Sequence, residues 1–214
     1  MNTIKECFDT ILRGDEKESR LAARMVSKIL YKATASSDRS KYNEIHDIIT
    51  GAADFYSKIA EDWRQENFVM AVSVIYFLHG REDQPDFLFP WLFRLLQNSN
   101  GYIRYSAVKM ISHEIGPLTV HIRIPDFNSR YTNEIKPEQV ESILYSLFAG
   151  LNGLSAALWQ PKYERYKYID SLPASPYKSV QMVLAELEES CGREYTDRLA
   201  RRYHREFNDN IGVS

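Results

Sequence analysis

The stretch that decides the fold runs from Gln84 to Leu118 and reads QPDFLFPWLFRLLQNSNGYIRYSAVKMISHEIGPL. Its apolar residues recur at steps of three and four, which places them on one face of each of two helices. Residues 98–101 between them are the turn-forming sequence Asn-Ser-Asn-Gly, and Gly116-Pro117 is expected to end the second helix. The stretch therefore predicts a helical hairpin with these residues on its inner side: Leu88, Trp91, Leu92, Leu95, Leu96, Ile103, Ala107, Met110, Ile111 and Ile115.

The hairpin resembles a HEAT repeat. The resemblance is carried by Leu95-Leu96 at the end of the first helix, the polar turn, Ile103-Arg104 at the start of the second helix, and Ala107. It implies an all-α protein with a right-handed α-α superhelix of stacked hairpins. It also implies structural roles for Arg104 and Arg20, because the matching Arg of such repeats bonds a carboxylate or carbonyl group of a turn and ties neighbouring repeats together.

The spacing of the hairpin recurs toward the N-terminus. Three sets of residues share it: Leu12, Arg20 and Ala23; Ala60, Phe68 and Ala71; and Leu96, Arg104 and Ala107. The first and last sets lie 84 residues apart, which corresponds to two repeats of about 42 residues. In the middle set, Phe68 replaces the arginine.

We therefore predict a single domain over residues 1–214, with repeats at about 2–36, 38–80 and 84–117 and an irregular helical part at 137–208. A long helix is expected from Asp38 to Ala60. Two irregular segments, 118–136 and 159–178, interrupt the helical pattern. Within the first of these, Val120, Ile122 and Ile124 alternate with polar residues, which predicts an extended segment.

The amino-acid composition favours some classes of protein over others. The hydrophobic fraction of 44% and charged fraction of 26% are typical of a globular domain, whereas the net charge of −2 is unlike that of a dedicated nucleic-acid binder. There is no secretory signal pattern and no apolar run of about 20 residues. Cys7 and Cys191 are expected to be reduced thiols. These features predict a cytoplasmic protein without a membrane segment.

Motifs that hold cofactors or nucleophiles are missing from the sequence. There is no Walker pattern, no dinucleotide fingerprint and no Gly-x-Ser-x-Gly elbow. His113, Glu114 and His121 do not have the spacing of a zinc-protease helix. We predict no cofactor and no metal site, and a non-catalytic role is favoured over an enzyme.

Aromatic and cationic residues alternate in the segment from Trp159 to Lys178, a composition that can anchor a peptide or stack on bases. The competing interpretation is that the rings cover the helices with their hydroxyl groups in water. The predicted function is recognition of a protein partner on the concave face of the superhelix. The candidate contact residues are Trp91, Arg104, Trp159, Tyr163, Tyr166 and Tyr168.

The alternative is a nucleic-acid interface at four arginines of the last helix: Arg198, Arg201, Arg202 and Arg205. Some HEAT-like proteins of this size are DNA glycosylases for alkylated bases, which use Trp, Asp and Arg on a concave face. Trp63, Trp91 and Asp86 are present here, but they do not match that catalytic set residue by residue. A structural homodimer formed through an end repeat is a third interpretation.

Overall fold

A computed structural model describes residues 3–33, 40–78, 88–124, 137–160 and 174–211. Within these ranges the chain is helical and contains no strand, which confirms the all-α prediction. The helices are α1 Ile4–Arg13, α2 Glu16–Ala33, α3 Ser40–Thr50, α4 Ala52–Ser57, α5 Asp62–Ile75, α6 Phe89–Leu96, α7 Gly101–Leu118, α8 Val120–Arg123, α9 Pro137–Leu158, α10 Pro176–Cys191 and α11 Arg193–Ile211.

The chain forms two compact units, Met1–Met110 and Ile111–Ser214. In the first unit, α1 and α2 form a hairpin whose turn is fixed by reciprocal caps. The Asp15 amide donates to Glu18 Oε2 at 3.0 Å, and the Glu18 amide donates to Asp15 Oδ1 at 2.8 Å. This capping box satisfies two amides that the start of α2 would otherwise leave unpaired.

In the first unit, α5 packs against both helices of the first hairpin, α1 and α2. α1 also packs against α3. Farther along, the Trp91 ring of α6 meets the Tyr56 ring of α4 edge-on, with centroids 5.9 Å apart. α5 is the central helix, and the side chains that it buries include Phe68, Val69, Ala71, Val72 and Ile75.

In the second unit, α9 packs against α10 and α11, and α8 packs against α10. The apolar residues of α9 and α10 that are fully buried here are Leu144, Leu147, Leu151, Val180, Val183 and Leu187. Gly192 lies between α10 and α11 with φ of +81°, a backbone conformation that side chains other than glycine's rarely adopt. Glycine at this position lets α11 begin directly after α10 ends.

The predicted stop at Gly116-Pro117 is wrong, because α7 continues through Pro117 to Leu118. Proline removes one backbone donor near the end of the helix, where local groups take up the carbonyls. The Thr119 hydroxyl donates to the carbonyl of Ile115 at 2.8 Å, and Arg123 Nη2 donates to the carbonyl of Gly116 at 2.8 Å. These bonds cap the end of α7, and the helix tolerates Pro117 because the proline is its next-to-last residue.

Two other local predictions are corrected. Residues Val120–Arg123 form the short helix α8 rather than an extended segment, because five alternating residues are too few to separate the two periods. The long helix predicted over 38–60 is divided at Gly51 into α3 and α4. A Cβ atom at Gly51 would lie 2.7 Å from the ring of Phe55, so the close approach of that ring at the break suits glycine.

Candidate functional site

The structure places the candidate partner-binding residues in different environments. Trp91 and Arg104 are only 4% and 5% exposed, so direct contact with a partner is closed to them. Trp159, after the end of α9, is 47% exposed and is accessible. The remaining three, Tyr163, Tyr166 and Tyr168, lie outside the described residues, as does Asp86.

Arg104 holds the turn of its own hairpin. Its Nη1 atom donates to the carbonyls of Asn98 and Ser99, both at 2.7 Å. Burial lowers the pKa of the Arg104 guanidinium, because removal from water disfavours the charged form. The arginine therefore bonds carbonyls of the turn between α6 and α7, and these two hydrogen bonds stay within its own hairpin.

Arg20 has a different role from Arg104. It is exposed and pairs with Glu16 one turn earlier on α2, at 3.1 Å. The connection between hairpins is made instead by Arg64, at the start of α5. Arg64 Nη1 donates to the carbonyls of Ile11 and Gly14, both at 3.0 Å, so it joins α5 to the preceding turn. Sequence reasoning missed Arg64, because it lies one turn before the repeat position occupied by Phe68.

Two of the four arginines of α11 are stacked on tyrosine rings of the second unit. The guanidinium of Arg202 lies 3.7 Å from the ring centroid of Tyr145, and that of Arg198 lies 4.6 Å from the centroid of Tyr195. Arg201 and Arg205 lie on the exposed surface of the same helix. The Arg205 Nε atom donates to the carbonyl of Arg201 at 3.4 Å.

Two carboxylates, those of Glu206 and Glu141, lie beside the stacked arginines and tyrosines. Glu206 accepts from Arg202 Nε at 2.8 Å and from the Tyr145 hydroxyl, and these two hydrogen bonds lower the pKa of the Glu206 carboxyl. Glu141 accepts from the Tyr195 hydroxyl at 2.7 Å and lies 3.7 Å from Arg198 Nη2. Burial, followed by the bond to Glu141, raises the pKa of Tyr195. The charges of Arg198 and Arg202 are thus already engaged within the unit.

The other feature that can bind a partner is in the first unit, on the side of α5 that faces away from its core. Trp63, Glu66, Met70 and Val74 follow each other at steps of three and four along α5, and all are partly or well exposed. Since the opposite side of α5 is also apolar over residues 68–75, this second half of the helix is apolar on most of its circumference. Such a segment of helix is normally buried on every side.

The start of α7 extends this surface. The Nδ2 atom of Asn100 donates to Glu66 Oε2 at 2.5 Å, which brings the beginning of α7 beside the middle of α5. Tyr102 is 53% exposed, and the ammonium of Lys109 lies 4.7 Å from the ring centroid of Tyr105. We call the surface made by the following residues the α5–α7 face: Trp63, Glu66, Met70, Val74, Tyr102, Tyr105 and Lys109.

Chemically reactive groups are sparse in the part of the chain that the structure describes. No group of three or more His, Cys, Asp or Glu residues there has the arrangement of a metal site. Both cysteines are buried free thiols. Burial, together with the charge of Glu141, raises the pKa of Cys191 to about 12, and burial raises the pKa of Cys7.

The native thiols should therefore react slowly with an alkylating reagent. At about pH 8, a pKa near 12 leaves Cys191 with roughly a thousandfold less thiolate than an ordinary cysteine. Timed iodoacetamide labelling followed by mass spectrometry should show Cys191 modified at least about a hundredfold more slowly in the native than in the urea-unfolded chain. Equal rates would show that this thiol is not held in a buried site.

None of the helices in the described ranges is long and apolar enough to cross a membrane. No protein-family model, curated protein or solved structure matches the chain.

Proposed function

We propose that this chain is a non-catalytic helical-repeat module of the HEAT-like kind that binds a protein partner through the α5–α7 face. The observation that carries the proposal is the apolar, exposed side of α5, where Trp63, Met70 and Val74 lie on a helix whose other side is already core. Covering such a side is favourable because apolar surface leaves water. A cytoplasmic location is part of this proposal.

Three contacts in the first unit support HEAT-like stacking. α1 lies on α3, α2 lies on α5, and Arg64 bonds the carbonyls of the preceding turn. This is the register that side-by-side hairpins require, since each hairpin buries its apolar stripe only against its neighbours. In that register, α5 and α7 are second helices of adjacent hairpins, and they would line the concave side of a superhelix.

The composition of the α5–α7 face fits a protein partner. Aromatic residues and methionine are enriched at the centres of protein interfaces, and Trp63, Met70, Tyr102 and Tyr105 provide them here. Glu66 and Lys109 provide one charge of each sign, so the face lacks the uniform positive charge that a phosphate backbone requires. Exposed Trp159 in the second unit is a further proposed contact residue.

Nucleic-acid binding at Arg198, Arg201, Arg202 and Arg205, including the glycosylase-type activity, has less support. Two of these guanidinium groups are engaged by carboxylates and tyrosine rings of their own unit. The chain also carries a net charge of −2. A nucleic acid would have to replace those internal partners before it gained counterion release.

Substitutions on the face should abolish partner capture. We expect Met70→Glu and Tyr102→Glu each to weaken binding by about tenfold or more, because a charge placed in an apolar interface is buried without a partner. The measurement is affinity capture from nuclease-treated native lysate, read by quantitative mass spectrometry. The partner identified with the unsubstituted chain is then titrated against each purified variant.

The matched control is Ile124→Glu, which changes an apolar residue of the second unit that is 50% exposed, against 36% for Met70 and 53% for Tyr102, and it should leave binding unchanged. Light scattering of the purified chain tests the homodimer in the same series. If Ile124→Glu weakens binding as much as Met70→Glu, or if only nucleic acid is recovered when nuclease is omitted, the proposal is wrong.

A further inference from the structure

A second surface, separate from the α5–α7 face, is a cleft in the first unit between α1 and α3, with α4 and α5 behind it. Its volume is about 280 Å³. The floor is apolar and is made by Phe8, Leu12, Ile48, Phe55 and Phe68. The cleft lies on the core side of α5, opposite Trp63 and Met70, so one surface can be altered without the other.

The floor is built around Phe68. The ring of Phe68 meets Phe8 edge-on at a centroid distance of 5.8 Å and meets Phe55 at 6.4 Å. Phe68 and Phe8 are buried, whereas Phe55 is 39% exposed. Leu12 and Ile48 are half-buried. The floor is therefore a rigid aromatic base with partly exposed apolar side chains beside it, which can receive an apolar side chain from outside.

Charged side chains line the rim on both sides. Lys5, Asp9 and Arg13 follow each other at steps of four on α1, and Glu44 and Asp47 lie on α3. Among the residues that the structure describes, none of these five forms an ion pair. The α1 wall of the cleft thus carries alternating charge, while the α3 wall presents two carboxylates, neither of which is within 4 Å of a cationic group of the described residues.

The volume of the cleft and the chemistry of its lining limit the kind of molecule that can bind in it. The volume lies just below the range of about 300–1,000 Å³ that holds a whole small ligand, and no buried polar group in the floor would orient a cofactor. One or two apolar side chains of a protein segment fit such a space. The carboxylates of Glu44 and Asp47 would pair with cations of that segment.

Pairing of two copies through their α1 helices is an unfavourable way to cover the cleft. If two α1 helices paired antiparallel about a twofold axis at Asp9, each Lys5 would face Arg13 of the other copy and the two Asp9 side chains would face each other. Like charges in direct opposition disfavour this pairing of two α1 helices, whereas the two carboxylates of the α3 wall favour a partner segment that carries cations.

We propose that the cleft between α1 and α3 binds an amphipathic segment of another protein, which places large apolar side chains on the floor and directs Lys or Arg side chains toward Glu44 and Asp47. The segment uses the side-chain-in-groove mode by which folded modules recognise short peptides. This site does not depend on the α5–α7 face.

The test is selection from a displayed library of random peptides of about 16 residues against the full chain. Selected peptides should combine large apolar residues with Lys or Arg and contain few Asp or Glu. Phe55→Asp should remove their binding. The double variant Glu44→Lys with Asp47→Lys should weaken a selected peptide by about tenfold or more and should itself select acidic peptides.

A control with the same change in charge and spacing is Glu186→Lys with Glu189→Lys on α10, which should leave selection and affinity unchanged. Peptides that bind the Phe55→Asp variant normally, or a library that yields no specific binders, would overturn the site. A different result would contradict only the charge of the partner. In that result, Phe55→Asp removes peptide binding, but the double variant of Glu44 and Asp47 still selects peptides with Lys or Arg. Neither result bears on the α5–α7 face.

Discussion

Replacing Phe68 by alanine should lower the free energy of unfolding by about 3–5 kcal/mol, as expected for a fully buried aromatic side chain. Phe68 has no exposed surface, and its ring contacts Phe8 from α1 and Phe55 from α4. The substitution opens a cavity where three helices of the first unit meet. Since whole domains are stable by about 5–15 kcal/mol, this loss would be a large part of the total.

Met70→Ala is the control, because Met70 lies on the same helix two residues later and is 36% exposed. Its loss should be under about 1 kcal/mol. Urea titrations followed by far-UV circular dichroism give both values. Equal losses would mean that the buried and exposed sides of α5 are wrongly assigned, and this would also remove the basis of the α5–α7 face.

The apolar spacing was sufficient to predict the all-α class, but it located neither the break at Gly51 between α3 and α4 nor the start of α5 at Asp62. The same spacing also predicted that Trp91 is buried. The residue belongs to the stripe of Leu88, Leu92 and Leu95 that predicts the buried side of α6, and it is buried there. Treating this tryptophan as a contact residue gave more weight to its chemistry than to its place in the stripe.

The features that sequence reasoning missed depend on contacts distant in the chain. The bonds from Arg64 to the carbonyls of Ile11 and Gly14 span 53 and 50 residues, and no local pattern indicates them. Phe68 stands where the spacing would place an arginine because its side chain lies among aromatic rings, and Arg64, which makes these two bonds, lies one turn earlier. The α5–α7 face likewise becomes visible only when the buried side of α5 is known.

Replacing Arg104 by methionine should lower the free energy of unfolding by about 2–4 kcal/mol. Methionine keeps much of the aliphatic length of the side chain but removes every donor. The carbonyls of Asn98 and Ser99 then lose bonds of 2.7 Å to a charged group, and hydrogen bonds to charged groups contribute about 1.5–3 kcal/mol each. The loss should be less than the sum of the two hydrogen bonds, because folding of the variant no longer carries the free-energy cost of removing a guanidinium from water.

Arg20→Met is the matched control, since Arg20 has the same place in the repeat spacing. Its partner is Glu16 on the surface of α2, and both side chains are 57% exposed. An exposed pair one turn apart contributes about 0.3–0.5 kcal/mol, so Arg20→Met should change stability by no more than that. Denaturant titration of both variants therefore separates the two arginines. A loss of several kcal/mol for Arg20→Met would show that Arg20 connects hairpins through a contact other than its bond to Glu16. No loss for Arg104→Met would show that the turn between α6 and α7 is stable without its arginine.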